Sequence, residues 1–222
     1  MKFKSIPLVL LAIVVMAEPA RSEQPIAQLT PVPDWSKISK QLEDMRESDQ
    51  VTRKKISSLL KQPPSKQLED SMGEMAMLRN KLARDDAANL AQLKEIVSHY
   101  GWPRKSAVGA KAAMGAFLVL QHADPQYQME TVQLVREAVA AGEAEKSALA
   151  LLEDRILVHQ NQPQMYGSQV SSTGAVVRLN PVKDVANLDK LRTEMGLEPI
   201  CIYLMRFAAP NGVIEHAACQ RK

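Results

Sequence analysis

The stretch Ser106–Gln121, SAVGAKAAMGAFLVLQ, decides the fold because it is apolar and consists largely of small residues. Alanine and glycine let neighbouring backbones approach closely, so such a segment is typical of a central helix. The small residues are Ala110, Ala112, Ala113, Gly115 and Ala116. The stretch therefore predicts a central helix against which other helices pack, followed by the polar group Gln121-His122-Ala123-Asp124.

Apolar residues recur at helical spacing on both sides of this stretch. Asp34 and Ser36 are candidate N-caps of the first helix, and Asp124 is expected to cap the helix that starts at Pro125. The predicted helices cover residues 34–60, 68–82, 86–97, 106–121, 125–141, 143–158 and 184–195. Aromatic residues are only 4% of the chain, which favours helices over a β-sandwich.

The C-terminal third contains the signals for β-structure. Tyr166–Leu179 is rich in β-branched residues and predicts a loop or a short hairpin. Ile200–Phe207 and Val213–Ala217 flank Pro210-Asn211-Gly212, a combination typical of a hairpin turn. The predicted fold class is mainly α, a helical bundle-like single domain with a small β-hairpin toward the C-terminus.

The N-terminus has the pattern of an export signal. Lys2 and Lys4 precede the apolar run Ile6–Ala17, and Ala20-Arg21-Ser22 offers small residues for cleavage. We predict a signal peptide over residues 1–22, an extended tether over 23–33 and one helical domain over 34–222. The apolar run is short for a bilayer span, so we expect a periplasmic or secreted protein without stable membrane insertion after cleavage.

Charge and cysteine content restrict the classes of partner. The formal net charge is +3, and residues 1–22 contain three basic residues and one acidic residue, so without them it falls to +1. This balance gives no support to nucleic-acid binding. Cys201 and Cys219 are predicted to form a disulfide in an oxidising compartment, with a metal or redox site as the alternative.

Polar residues at helix ends are the candidate site. His122 is the candidate general acid or base because imidazole titrates near neutral pH, and Gln121 precedes it. Asp154 and Arg155 lie within an apolar helix, where an arginine needs a carboxylate, carbonyl groups or an anionic ligand. The alternatives are a buried, hydrogen-bonded histidine and a structural ion pair.

A second candidate element is the segment Gln164–Gln169, QMYGSQ. On an extended strand Gln164 and Tyr166 share a face, and with Gln169 they offer uncharged hydrogen-bonding groups to a ligand. The alternative is a polar hairpin packed on the helices. His99, His122, His159 and His216 lack metal-ligand spacing, so neither a metal nor another cofactor is predicted.

These groups together resemble a family of bacterial proteins whose domain is of unknown function. The family's motifs correspond here to Asp49-Gln50 with Arg53, Gly101-Trp102-Pro103, Gln121–Asp124, Asp154-Arg155 and Gln164–Gln169. The resemblance extends over roughly Leu42–Tyr203, and Ser168 stands where threonine is expected. It implies a shared site that includes Asp49 and Arg53, and it carries no known activity.

Two functions follow as hypotheses. In the first, a polar pocket binds, and in a catalytic version acts on, a small polar or peptide-like ligand. In the second, the protein interacts with another protein as an inhibitor or immunity partner, and the polar motifs only support the fold. Convergence of the polar side chains in one cleft favours the first hypothesis, and an exposed apolar patch favours the second.

Overall fold

The helices expected from the apolar periodicity are present in the computed structural model, which describes residues 32–60, 70–173, 176–208, 212–216 and 219. The helices are α1 (Trp35–Leu60), α2 (Asp70–Tyr100), α3 (Lys105–Val108), α4 (Ala110–His122), α5 (Pro125–Ala140), α6 (Lys146–His159), α7 (Leu188–Glu194) and α8 (Ile200–Met205). The strands are β1 (Val170–Thr173), β2 (Val176–Leu179) and β3 (Val213–Glu215). The mainly helical fold class is confirmed. The predicted signal peptide and residues 23–31 of the tether lie outside the described residues.

None of the helices in these ranges combines the length and the apolar character that crossing a bilayer requires.

The central helix α4 lies directly against α1, as its small residues predict. The closest approach is at Gly115, where an added Cβ would be 2.2 Å from the carbonyl oxygen of Leu42 on α1. Leu42 and Ala116 are fully buried at this contact. Glycine is therefore required at position 115, and the contact fixes the end of α4 relative to α1.

The helix boundaries differ from the prediction at two places. Residues 68–82 and 86–97 were predicted as separate helices, but α2 is continuous from Asp70. No glycine or proline interrupts the chain between Leu82 and Asp86, so charged residues alone do not end the helix. The predicted helix from Ser106 is divided at Gly109, whose φ of +83° separates α3 from α4.

Both predicted aspartate caps are confirmed. Asp34 Oδ1 accepts a hydrogen bond from the backbone N–H of Lys37 at 3.1 Å. Asp124 Oδ1 accepts one from the backbone N–H of Tyr127 at 2.9 Å, and Pro125 occupies the first position of α5. These bonds satisfy N–H groups that have no partner within the helix.

The first predicted hairpin is also present. β1 pairs antiparallel with β2, in a register that sets Val170 opposite Leu179 and Thr173 opposite Val176. Residues 174–175 between the strands lie outside the described residues. β3 adds to the other edge of β2 in parallel, which completes a three-stranded sheet in the order β1-β2-β3.

The second predicted hairpin, around residues 210–212, is wrong. Residues 200–205 form α8 instead of a strand, and the partner of β3 is β2. The helix places Ile200 and Leu204, four residues apart, on one buried face. The carboxylate of Asp189 accepts the backbone N–H of Ile200 at 2.7 Å, at the start of the helix. Pro210 and Asn211 lie outside the described residues.

The predicted disulfide is confirmed. Cys201 on α8 and Cys219 after β3 are bonded, with an S–S distance of 2.08 Å. The bond closes a segment with a sequence separation of 18 residues. It therefore ties the end of the chain to the small helix that packs beside the sheet.

Candidate functional site

A charged group forms around Asp49, a carboxylate of α1 that is only 1% exposed. Its Oδ1 accepts a hydrogen bond from Arg53 Nε at 2.7 Å and lies 2.9 Å from His122 Nδ1 at the end of α4. Arg53 Nη2 donates to both carboxylate oxygens of Asp86 on α2 at 2.8 Å. Three helices thus contribute to the Asp49 cluster, which we define as Asp49, Arg53, Asp86 and His122.

The pKa of Asp49 lies below its ordinary value. Burial raises the pKa, but the nearby His122 and Arg53 lower it, and their combined effect is larger. Asp49 Oδ2 also accepts a hydrogen bond from Gln50 Nε2 at 2.7 Å. Asp49 is therefore a fixed, ionised carboxylate at neutral pH.

His122 presents its two ring nitrogens to different surroundings. Nδ1 is buried 2.9 Å from Asp49 Oδ1, but the angle between the two groups is not that of a hydrogen bond. The side chain is 18% exposed, and Nε2 has no hydrogen-bond partner among the described residues and is not sealed in the core. A histidine with Nδ1 toward a carboxylate and Nε2 toward solvent has the arrangement of a general acid or base.

Arg155 of α6 joins this region through Gln121, the neighbour of His122. The side-chain amide of Gln121 is buried, and one of its two orientations gives both its oxygen and its nitrogen a partner. In that orientation the oxygen accepts hydrogen bonds from Arg155 Nε at 2.8 Å and from Arg155 Nη2 at 3.3 Å. Burial lowers the pKa of Arg155, and the positive charge of Arg53 lowers it further. The two guanidinium groups are therefore close enough to repel each other.

Asp154, the other residue of the pair, supports the loop after α6. It is fully buried, and its carboxylate accepts backbone N–H groups of Met165 at 2.7 Å, Tyr166 at 3.0 Å and Ser168 at 2.8 Å. An adjacent position on a helix points in another direction, which explains why Asp154 and Arg155 belong to different groups. The geometry gives Asp154 a role in shaping the backbone of residues 165–168.

The predicted amide residues Gln164 and Gln169 also bond within this loop. Gln164 is fully buried, its Oε1 accepts the backbone N–H of Gln169 at 2.8 Å, and its Nε2 donates to the carbonyl oxygens of Gln169 and Asn180, both at 2.9 Å. The side chain of Gln169 donates to Ser168 Oγ at 3.0 Å. These contacts match the alternative of a polar loop packed on the helices.

Tyr166 faces Glu153 instead of His122. Its hydroxyl donates to Glu153 Oε2 at 3.4 Å. Burial and the nearby carboxylate of Glu153 raise the pKa of Tyr166 to about 12. Tyr166 is only 8% exposed, so it belongs with the loop and the surface of α6.

Arg192 is a buried residue that the sequence analysis did not single out. It is fully buried on α7 and donates to the carbonyl oxygens of Tyr166 and Glu198, both at 2.6 Å. Its helix, LDKLRTE, is mostly polar, so the sequence does not mark Arg192 in the way that the apolar neighbours of Arg155 mark that residue. Tyr203 adds a hydrogen bond from its hydroxyl to the carbonyl oxygen of Ser168 at 2.7 Å.

The Asp49 cluster also has the donor types of a metal centre. One ligand atom each from Asp49, Asp86 and His122 lie within 4.8 Å of one another, a proximity that spacing along the sequence cannot predict. Both carboxylates, however, already bind the guanidinium of Arg53. The cation that this arrangement accommodates is therefore an arginine side chain.

A groove lies elsewhere, between the first half of α1 and the second half of α2. It has a volume of about 940 Å³, and its lining includes Lys37, Gln41, Asn89, Glu95 and Tyr100. None of the predicted site residues lines it. Gly101-Trp102-Pro103 forms the turn after α2: Gly101 has a φ of +74°, and Trp102 is buried in the core.

Comparisons with known proteins identify a family and no activity. Residues 36–213 match the model of a family described as a family of unknown function, DUF6624. No curated protein and no solved structure matches the chain.

Proposed function

The chain belongs to DUF6624, a family of unknown function. We propose from the signal pattern of residues 1–22 that the protein is exported, and from the Asp49 cluster that it binds a small polar or peptide-like ligand. In this proposal His122 transfers a proton to or from the ligand. The single observation that carries it is the position of His122 Nδ1, 2.9 Å from a buried carboxylate.

The cost of this arrangement supports a functional role. Burying the carboxylate of Asp49 on its own is unfavourable, and Arg53 compensates it. The imidazole adds a second polar group beside this carboxylate, and an imidazole oriented by a carboxylate is an arrangement that enzymes use for proton transfer. Nε2 remains open to a reacting group, which is what an acid or base requires.

Mass spectrometry of the native protein, purified from its own cells, tests this proposal. We expect a bound small molecule on the wild-type protein and altered occupancy in Asp49→Asn and His122→Gln. His159→Gln is the matched control, because His159 is exposed at the end of α6, and it should retain wild-type occupancy. Equal occupancy in all four proteins, or no bound species together with no thermal shift in a library of polar metabolites, contradicts the proposal.

The alternative, an interaction protein, is favoured by a separate observation. Ile202, Met205 and Phe207, on and after α8, are 49%, 50% and 43% exposed. Exposed apolar side chains this close together are a feature of protein-binding surfaces. This function is supported if the wild-type protein retains a protein partner and Ile202→Asn loses it while the Asp49 cluster is unchanged.

A further inference from the structure

Arg155, unlike Arg53, has no carboxylate partner. Arg53 pairs with Asp49 and Asp86 at 2.7 and 2.8 Å. No carboxylate among the described residues lies within 4.0 Å of Arg155, whose side-chain partner is the neutral amide of Gln121. The positive charge of Arg155 is therefore held in place without being neutralised by direct contact.

The guanidinium of Arg155 also has unused donors. Of its five N–H groups, Nε–H and one of Nη2 point to Gln121. Nη1 has no partner among the described residues and is not among the buried atoms that lack one, so its two N–H groups reach solvent. A guanidinium with free N–H groups in one plane matches the geometry of an oxyanion.

The surroundings of Arg155 favour an anion for a second reason. Arg53 lies within electrostatic range and disfavours the charged form of Arg155. The carboxylates of Asp49 and Asp86 are both engaged by Arg53, so neither is available to Arg155. A negative group bound at Arg155 relieves this repulsion and replaces the water lost on burial.

We propose that Arg155 binds the oxyanion group of the ligand, so the ligand is a small organic acid that carries a carboxylate or a phosphate. This inference rests on the proposed function and specifies its ligand class. Gln121 positions the guanidinium, and His122, the next residue of α4, faces the Asp49 side of the same region. The acid group is thus anchored by Arg155 while His122 exchanges a proton with another part of the ligand.

Titration of the folded protein with acetate and with inorganic phosphate, at constant ionic strength, tests the ligand class. The signal is the chemical shift of the arginine ¹⁵Nε resonances, with each isotherm fitted to a dissociation constant. We expect saturable binding of at least one anion. Arg155→Gln should weaken it at least about tenfold, because charge-assisted hydrogen bonds are lost. Preference between the two probes distinguishes a carboxylate from a phosphate ligand.

Two further variants make the result specific. Arg155→Lys keeps the charge but not the planar donors, so its binding should lie between those of wild type and Arg155→Gln. Arg136→Gln removes an exposed arginine that pairs with Glu153, and it should bind as wild type does. No saturable shift in the wild-type protein, or equal affinity in Arg155→Gln, overturns the inference.

The same titration separates this inference from the proposed function. The first outcome is that His122→Gln still binds the anion, the native protein carries no ligand and the variant affects no reaction. This result supports the oxyanion site and contradicts the proton-transfer role. A native ligand that depends on His122 but is uncharged rejects the oxyanion site and leaves the proposed function. If Arg155→Gln fails to fold, the wild-type and Arg155→Lys titrations decide the inference.

Discussion

Replacing Asp154 with alanine is expected to lower the free energy of unfolding by about 3–5 kcal/mol, because three backbone N–H groups in the interior lose their acceptor. The donors are those of Met165, Tyr166 and Ser168, at 2.7–3.0 Å from a carboxylate that is fully buried. The loss should appear as a lower midpoint in urea unfolding followed by circular dichroism.

Glu153→Ala is the matched control for Asp154→Ala. Glu153 is the preceding residue of α6, and its carboxylate pairs with Arg136, whose side chain is 48% exposed. The Glu153 side chain is 17% exposed and also accepts the hydroxyl of Tyr166 at 3.4 Å. It holds no backbone N–H group of the described residues, so this variant should lose clearly less stability than Asp154→Ala. Equal unfolding midpoints for the two variants contradict a bracing role for Asp154.

Replacing Gly115 with alanine should have a comparable effect by a different mechanism. The new Cβ would lie 2.2 Å from the carbonyl oxygen of Leu42, and a backbone atom cannot move aside as a side chain does. Helices α1 and α4 must separate, at a cost of about 3 kcal/mol. The variant should also weaken the Asp49–His122 contact, because those residues belong to the same two helices.

Gly73→Ala on α2 provides the control for the Gly115 variant. A Cβ at Gly73 meets no atom within 4 Å, and alanine is favoured over glycine in a helix by about 1 kcal/mol. Gly73→Ala should therefore be neutral or slightly stabilising in the same urea experiment. A Gly115→Ala protein as stable as Gly73→Ala contradicts the close packing of α1 on α4.

Local chemistry explains which parts of the fold could be predicted. The small residues of α4, the caps Asp34 and Asp124, and the cysteine pair each have a short-range or compositional signal. The hairpin expected at residues 210–212 was wrong because Ile200 and Ile202 suit a strand as well as a helix. Tertiary packing buries Ile200 and Leu204 on one face, which favours the helix over the strand.

The candidate site was less predictable because its contacts join distant parts of the chain. The sequence motifs identified Asp49, Arg53, His122 and Arg155, but nothing in the sequence distinguishes Asp86 from Asp85, the aspartate that precedes it on α2. The motifs also could not separate Arg155 from Asp154. That separation depends on the rotation of α6, which turns Asp154 toward the loop and Arg155 toward Gln121.

The central claim is that the Asp49 cluster and Arg155 serve a ligand, whereas Asp154 serves the fold. The most direct measurement is the free energy of unfolding of Arg155→Met compared with Asp154→Ala. A ligand role predicts that Arg155→Met loses no more than about 1 kcal/mol, or gains stability, because residues selected for function are seldom optimal for folding. A loss of several kcal/mol, equal to that of Asp154→Ala, contradicts the claim and makes Arg155 a structural residue.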